Sequence, residues 1–399
     1  MSNETVGVAG ISRRRVLVVS VGRSDYGIYR PVLNAMEAHP ALQPELLVSG
    51  AHLGENGAST LGEIIADART IVARVPLPAT GGGSLDVGLA MAEALAGGCR
   101  AMDLLKPDIL MVLGDRFEMF GFASAAIPLN IPIVHIHGGE LSYGAIDDVF
   151  RHAITKMSHI HFASTAGYAQ RIRQMGEENW RVHVSGAPAL DTIRQRGLPS
   201  RSALAQRFGL RLDEAPILVT YHPMTRSPEE GIVELRSLLA VLEATGRPIV
   251  MTGPNADAGA DALRAELKAF ANRLERASFI ESFGADNYLA MLREAACVVG
   301  NSSSGIIETP SFRLPTVNIG DRQAGRTRAP NIIDTTGDTP ALTSAVKRAL
   351  DPAFRASLAT MESPYGNGFA GEYIADVLAK ITLDATLINK RFADKDCSV

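Results

Sequence analysis

Short apolar segments alternate with longer amphipathic segments along almost the whole 399-residue chain. In parallel sheets that are covered by helices on both faces, strands read as uninterrupted apolar runs. The pattern therefore predicts an α/β protein with parallel sheets packed between helices. The predicted strands lie at 16–21, 44–50, 108–115, 131–137, 159–164, 181–186, 216–223, 247–253, 277–282, 296–301 and 315–320.

A polar segment bounded by prolines, 199–216, separates two series of these strands. A chain of this length also exceeds the usual size of one hydrophobic core. We predict two doubly wound Rossmann-like domains, at 1–195 and 196–371, and a C-terminal helix with a tail at 372–399. Ligands of open α/β sheets bind beyond the carboxyl ends of the strands. We therefore expect the active site in the cleft between the two domains.

Composition narrows the class of protein. The net charge of −4 lacks the basic excess of a nucleic-acid-binding protein. The three cysteines, Cys99, Cys297 and Cys397, are odd in number and far apart, which favours a reducing compartment without a disulfide framework. No apolar segment reaches about 18 residues, so we expect no membrane span and a cytoplasmic protein.

Charged and polar residues cluster directly after the predicted strands, in both halves of the chain. Each alone is explained by turn chemistry or a structural ion pair, but their convergence at strand ends indicates a site. His135 and His137 would share one strand face and could suggest a metal, but no matching ligand set accompanies them, so we expect none. The candidates in these loops are Arg23, Asp25, His52, Asp115, Arg116, His137, Glu140, Asp147, His222, Asn255, Ser282 and Asn301.

The segment GNSSSGIIE, 300–308, predicts how a ligand is held. Free backbone N–H groups at a helix start favour an anion, and serine hydroxyls there either cap the helix or donate to phosphate. Glu308 could accept hydrogen bonds from two ribose hydroxyls. The chain lacks GxGxxG after the first strand and lacks a Walker motif, so hydride transfer through a bound dinucleotide is poorly supported. These features predict a nucleotide diphosphate that carries a sugar.

Five segments resemble the hydrolysing UDP-N-acetylglucosamine 2-epimerases: GRSDYG, GDRFE, HIHGGELSYGAIDDVFRHAITKMSHIHF, GNSSSGIIE and VNIGDRQAGR. The resemblance extends from about residue 15 to 375. It implies the GT-B-like fold, no cofactor, a UDP-sugar substrate with UDP as a product, and a homodimer or homotetramer. Several family members read HIEGGE where this chain reads HIHGGE, so His137 occupies the position of a catalytic carboxylate.

The resemblance also implies roles for individual residues. Uridine diphosphate would be held by Arg23, Asn255, Ser302, Ser303 and Glu308, and we extend this set to Asp25, His52, Ser282, Asn301 and Arg322. The sugar would be lined by Asp115, Glu140, Asp147 and His222, with Arg116, Arg151 and His137 nearby. Arg326 and Arg328 are expected to brace their loop.

The implied reaction has two steps. UDP leaves C1 while the C2 proton is removed to give a glycal, and water then adds at C1 as a proton returns to the other face of C2. We expect Asp115 and Asp147 to be the working carboxylates, with His137 or Glu140 assisting.

The predicted substrate is UDP-N-acetylglucosamine, giving N-acetylmannosamine. Alternatives are the same reaction on UDP-2,4-diacetamido-2,4,6-trideoxyglucose in legionaminic acid synthesis, a GT-B glycosyltransferase, and a nucleotide-sugar sensor that binds without turnover.

Overall fold

The computed structural model describes residues 13–54, 58–78, 84–143, 146–195, 197–223, 228–254 and 259–394. The chain divides into two compact units. The first unit comprises 1–139, 149–188 and 369–399, and the second comprises 140–148 and 189–368. The sequence predicted divisions at 195/196 and 371/372 and did not anticipate that 140–148 would group with the second unit.

The described residues form strands and helices in alternation. Strands β1 to β13 are, in order, Arg14–Ser20, Leu42–Ser49, Ile71–Val75, Ile109–Leu113, Ile133–Ile136, Ile160–Ala163, Val182–Val184, Ile217–Thr220, Ile249–Thr252, Ala277–Ile280, Cys297–Gly300, Thr316–Ile319 and Ile332–Thr335. Helices α1 to α16 are, in order, Arg23–Ala38, Ala58–Ala66, Ser84–Leu105, Phe117–Ala126, Asp147–Met157, Ala166–Gln174, Asp191–Gln195, Arg201–Phe208, Pro228–Ala244, Ala260–Arg273, Ala285–Glu294, Ser304–Ile307, Thr339–Ala349, Pro352–Ser357, Ala370–Lys380 and Ala385–Ile388.

Each unit is built on one parallel sheet. The first sheet has the strand order β3-β2-β1-β4-β5-β6-β7, and the second has β10-β9-β8-β11-β12-β13. Both orders start in the middle and reverse direction once, which defines a doubly wound sheet. In each sheet the reversal lies at a central pair, β1 with β4 and β8 with β11. The loops after these central strands are where such sheets place their ligands.

The predicted apolar runs all contain strands, but two strands escaped prediction. These are β3 and β13, which lie at sheet edges and are only partly buried. Each of the two carries an exposed charged residue, Arg74 in β3 and Asp334 in β13, which interrupts the continuous apolar run that marked the other strands.

One detail of the first sheet corrects the sequence argument about paired histidines. Strand β5 ends at Ile136, and His137 has a left-handed backbone with φ of 63°. Side chains alternate between faces only within an extended strand. The prediction that His135 and His137 share one strand face is therefore wrong.

The C-terminal segment returns to the first unit. Ile374, Ala375 and Leu378 of α15 lie in the same hydrophobic core as β1 and α1. Arg181, which is fully buried, donates to the carbonyls of Thr386 and Leu387. Among the helices that the structure describes, none combines the length and apolar character needed to cross a bilayer.

Candidate functional site

In the first unit, Asp25 lies at the start of α1, beyond the end of β1. Its carboxylate accepts hydrogen bonds from the Val21 N–H (3.2 Å) and the Ser24 hydroxyl (3.3 Å). Burial raises the pKa of Asp25 to about 6, although the positive charge of Arg116 opposes this shift. Asp25 thus organises the loop from β1 to α1 as a carboxylate of weakened acidity.

Arg116 begins α4 and pairs with Glu118, which is buried. Its Nε and Nη2 lie 3.2 and 3.1 Å from the two carboxylate oxygens of Glu118, a two-point contact. Glu118 also raises the pKa of Asp25 through charge repulsion, which places both carboxylates and Arg116 in one electrostatic cluster. The sequence places Glu118 in the GDRFE motif after a predicted strand but predicts no role for it.

Asp115 is paired with a buried cation. Arg151 of α5, which is 3% exposed, donates from Nη2 to Asp115 Oδ2. The loop that carries Asp115 is also held by His135, whose Nε2 donates to the Gly114 carbonyl at 2.8 Å. The structure therefore brings two predicted site residues, Asp115 and Arg151, into contact, and the bond from His135 holds the loop that follows β4.

Glu140 forms an ion pair that the sequence did not predict. Arg326 Nη1 lies 2.9 Å from Glu140 Oε2, and the side chains are 15% and 3% exposed. Both residues belong to the second unit, because 140–148 is grouped with it. The prediction that Arg326 only braces its own loop misses this contact.

Asp147 starts α5, and its neighbour Asp148 accepts a hydrogen bond from the Ser142 N–H at 2.7 Å. Two carboxylates in the first turn of a helix are favoured by its dipole.

Arg23 and His52 differ in exposure. The Arg23 side chain is 51% exposed, and its Nε lies 3.9 Å from Glu63 Oε1. His52 is buried, and its Nε2 lies 2.8 Å from the Ser20 hydroxyl. Burial lowers the pKa of His52 to about 4, so this imidazole is neutral at neutral pH.

In the second unit, His222, Asn301 and Arg322 follow the adjacent strands β8, β11 and β12. The Asn301 side chain hydrogen-bonds the backbone of His222, and the Asn301 carbonyl accepts from Arg322 at 3.3 Å. Burial, followed by the charge of Arg322, lowers the pKa of His222 to about 4. The three predicted residues are therefore neighbours.

Ser302 and Ser303 precede α12, which is a single turn. A 3-10 helix, Thr309–Phe312, follows with Pro310 inside it, and the missing N–H of a proline ends α-helical pairing. Glu308 is consequently the C-cap residue and not a residue within the helix. Ser303 occupies the N-cap but its side chain makes no capping hydrogen bond, so the capping alternative does not apply.

Glu308 carries a buried acceptor. Among the residues that the structure describes, no donor lies within hydrogen-bonding distance of its Oε2. Burial raises the pKa of this carboxyl, and a hydrogen bond with Ser304 opposes that rise. Tyr288 adds a second hydroxyl, which lies 2.7 Å from Ser304 Oγ. A buried unpaired acceptor is costly, so this position suits a ligand that brings a hydroxyl donor.

The remaining predicted residues give less information. Ser282 is exposed, and its hydroxyl accepts from the Gly284 N–H at 3.2 Å in a turn. Asn255 lies outside the described residues. Within the described part of the chain, no group of three His, Cys, Asp or Glu residues could hold a metal ion.

Comparison with known proteins identifies the family. The chain matches the family model described as UDP-N-acetylglucosamine 2-epimerase over residues 34–379. It belongs to the UDP-N-acetylglucosamine 2-epimerase family. It is 33% identical over 378 residues to the UDP-N,N'-diacetylbacillosamine 2-epimerase (hydrolyzing) of Legionella pneumophila, covering 94% of this chain and 98% of the relative. It is 34% identical over 326 residues to the GDP/UDP-N,N'-diacetylbacillosamine 2-epimerase (hydrolyzing) of Campylobacter jejuni, covering 81% and 85%.

Solved members of this family share the fold. The crystal structure of UDP-GlcNAc 2-epimerase from Neisseria meningitidis, bound to UDP-GlcNAc, matches with a TM-score of 0.80 at 18% identity, covering 92% of this chain and 100% of that one. The predicted resemblance to the hydrolysing epimerases and the predicted GT-B-like α/β fold class, with two doubly wound units, are therefore confirmed.

Proposed function

We propose that this protein is a hydrolysing 2-epimerase of a UDP-linked 2-acetamido sugar, releasing UDP and the free 2-epimeric sugar. The observation that carries the proposal is the 33% identity to a hydrolysing relative across nearly the full length of both chains. The local chemistry supports the proposal. The second unit offers Glu308 as an acceptor for a ribose hydroxyl, and the first unit offers Asp115 paired with the Arg151 guanidinium.

The second unit is proposed to hold the nucleotide. Glu308 accepts from the ribose hydroxyls through its buried Oε2, and Ser302 and Ser303 donate to the diphosphate. Arg322 supplies positive charge against the leaving group, and a charged donor is worth most where charge develops. Arg23, Asn255 and Ser282 are proposed to contribute further contacts to UDP.

The first step of the reaction is governed by the weak acidity of the hydrogen on C2. This carbon bears an amide nitrogen and is not next to a carbonyl, so its hydrogen is not acidic until UDP begins to leave and positive charge builds at C1. Asp115 is proposed to stabilise that charge and accept the C2 proton. Arg151 keeps Asp115 ionised for this role, since an adjacent guanidinium favours the charged carboxylate.

The second step returns a proton to C2 while water adds at C1. Asp147 is proposed to act on the opposite face, assisted by His137 or Glu140. The ion pair with Arg326 favours an ionised Glu140, which suits electrostatic stabilisation more than proton donation.

The proposed sugar is 2,4-diacetamido-2,4,6-trideoxyglucose, which is also called N,N'-diacetylbacillosamine. The Legionella and Campylobacter relatives are both named as epimerases of this sugar. UDP-N-acetylglucosamine is the second candidate, since the family model carries that name.

The test is product analysis by NMR in D₂O, with each UDP-sugar incubated separately and without an acceptor. We expect free UDP and a free sugar that is inverted at C2 and carries deuterium there. Epimerised sugar still attached to UDP would instead show a non-hydrolysing epimerase. Release that requires an added acceptor would show a glycosyltransferase, and binding without turnover would show a sensor.

A further inference from the structure

The side chain of Asn301 is engaged by the backbone of another residue. Asn301 is 2% exposed and directly follows β11. Its Oδ1 accepts from the His222 N–H at 2.7 Å, and its Nδ2 donates to the His222 carbonyl at 3.0 Å. A primary amide both donates and accepts, so it can satisfy the two backbone groups of one residue at once. This pairing directs both polar atoms of Asn301 toward His222.

The backbone of Asn301 holds two further segments. Its carbonyl accepts from Arg322 Nη1 at 3.3 Å and from Gln323 Nε2 at 3.0 Å, and its N–H donates to the Thr220 carbonyl at 3.2 Å. Since β8, β11 and β12 are adjacent strands, Asn301 ties together the loops that follow all three. Residues in loops gain a fixed orientation only from such contacts with a rigid scaffold.

We propose that Asn301 is a positioning residue, which orients His222 and Arg322 toward the UDP diphosphate and does not itself bind the nucleotide. The inference rests on the proposed function and replaces the direct UDP contact that the sequence predicted for Asn301. The neighbouring charge of Arg322 contributes to keeping His222 neutral, so the pair offers one charged donor and one uncharged imidazole. Asn301 sets the spacing between these two groups.

The experiment measures UDP binding by titration calorimetry and the His222 ring resonances by NMR. Asn301→Ala removes both hydrogen bonds to His222, and Asn301→Ser is a milder second variant whose side chain is too short to span both groups. We expect either change to shift the ligand-free His222 resonances and to weaken UDP binding on the order of tenfold. In a His222→Ala/Arg322→Ala background, the same changes should alter UDP affinity less than about twofold, because their effect passes through the removed residues.

Asn287→Ala provides a matched control. Asn287 is also a buried asparagine of the second unit, and its Nδ2 donates to one backbone carbonyl, that of Phe283, at 2.9 Å. This variant should leave both the His222 resonances and UDP affinity unchanged.

Two outcomes overturn the inference. Unchanged His222 resonances in both Asn301 variants would show that Asn301 does not orient that residue. An equal loss of UDP affinity in the presence and absence of His222 and Arg322 would show a direct nucleotide contact. Wild-type protein that binds UDP without turning over either UDP-sugar refutes the proposed reaction but leaves the Asn301 measurement valid, whereas wild-type protein that binds no UDP refutes both.

Discussion

At the scale of single residues, each unit keeps a carboxyl group where burial disfavours its ionised form. Burial raises the pKa of both Asp25 and Glu308, so their ionised forms are less stable in the folded protein than in the unfolded chain. Neither belongs to an ion pair in the part of the chain that the structure describes. Carboxyl groups whose pKa is raised by burial are often found at sites that bind or transform a ligand.

Glu308→Gln should have opposite effects on stability and binding. A carboxyl whose pKa is raised in the folded state lowers the free energy of unfolding as the pH rises above 4.5, the ordinary pKa of glutamate. The uncharged amide removes that loss, so the ligand-free variant should unfold at a higher temperature at pH 7.5 and show no advantage at pH 3.5. UDP affinity should fall roughly 10- to 100-fold, because a charged hydrogen bond to the ribose is lost.

Thermal unfolding and UDP titration of the same Glu308→Gln preparation check this. Glu275→Gln, a change at an exposed glutamate, is the control and should affect neither quantity. If the ratio of the affinities for UDP and for 2′,3′-dideoxy-UDP were the same in the Glu308 variant as in the wild type, the assignment of Glu308 to the ribose would be contradicted.

Asp115→Asn tests the proposed chemistry. The amide cannot accept the C2 proton or neutralise charge at C1, so turnover of the UDP-sugar should fall at least about a thousandfold. UDP affinity should remain within about threefold, since Asp115 is assigned to the sugar. Arg151 also loses its counter-ion, so a lower melting temperature is expected.

The rate should be measured with saturating substrate and compared with that of Asp103→Asn, an exposed aspartate on α3. Substantial turnover by the Asp115 variant would remove it from the proposed mechanism.

At the scale of elements, the central strands and their helices were predictable because both faces of each sheet demand apolar side chains. The helices Phe117–Ala126 and Asp147–Met157 lie between predicted strands, as the alternation of apolar and amphipathic segments predicted. The strands β3 and β13 were not predictable, since an exposed charged residue interrupts the apolar run of each. The left-handed His137 and the one-turn α12 also escaped prediction, because a local pattern does not report the backbone conformation that tertiary contacts impose.

Among the site residues, positions were predictable from the sequence but contacts between them were not. Strand-end position and motif located Asp115 and Arg151, but not their mutual contact. Arg326 and Glu140 are 186 positions apart, and no local pattern links an arginine in one loop to a carboxylate in another. Tyr288 lay in an ordinary helical pattern and carried no signal of the hydroxyl that it presents beside Ser304.

Gly300→Ala tests whether β11 must approach β8 closely in the second unit, which is proposed to hold the nucleotide. Gly300 ends β11 with φ of 149°, and a Cβ there would overlap the Thr220 carbonyl. We expect the free energy of unfolding to fall by about 3 kcal/mol or more and UDP binding to weaken, because Asn301 follows immediately. Urea denaturation and UDP titration measure both effects.

Gly62→Ala is the matched control, since a Cβ on this residue of α2 contacts nothing within 4 Å. It should be neutral or stabilising by up to about 1 kcal/mol. Equal stability of the two variants would show that the approach of Gly300 to Thr220 is not a constraint.

At the scale of the whole molecule, the first unit is assembled from separate parts of the chain. Its C-terminal segment supplies Lys390, which donates to the carbonyls of Lys156 and Ser158 and pairs with Glu177. The Glu177 side chain is fully buried, and its hydrogen bond with His161 and its contacts with lysines hold its pKa at about 2 against the opposing effect of burial. The segment therefore completes a buried polar network near the end of α5.

Ending the chain after Lys380 should loosen the first unit selectively. Arg181 loses two of its carbonyl acceptors and Glu177 loses Lys390, and each loss leaves a buried polar group less satisfied. Hydrogen exchange should accelerate at least tenfold in β6 and β7 and remain unchanged in β11. A chain ending after Asp394 retains these contacts and should exchange as the wild type does, and uniform acceleration in all three strands would contradict a local role.

The discontinuous first unit has a consequence for biosynthesis. Domains commonly fold in the order in which the ribosome delivers them. Here the strands of the first unit are translated before those of the second, but Arg181, Lys156 and the core beside α1 have partners that are encoded after residue 368. Residues 189–368 are all delivered earlier than those partners. The half of the protein that is synthesised first is thus the last to be completed, and a chain released near residue 368 would contain every residue of the second unit but lack the C-terminal segment of the first.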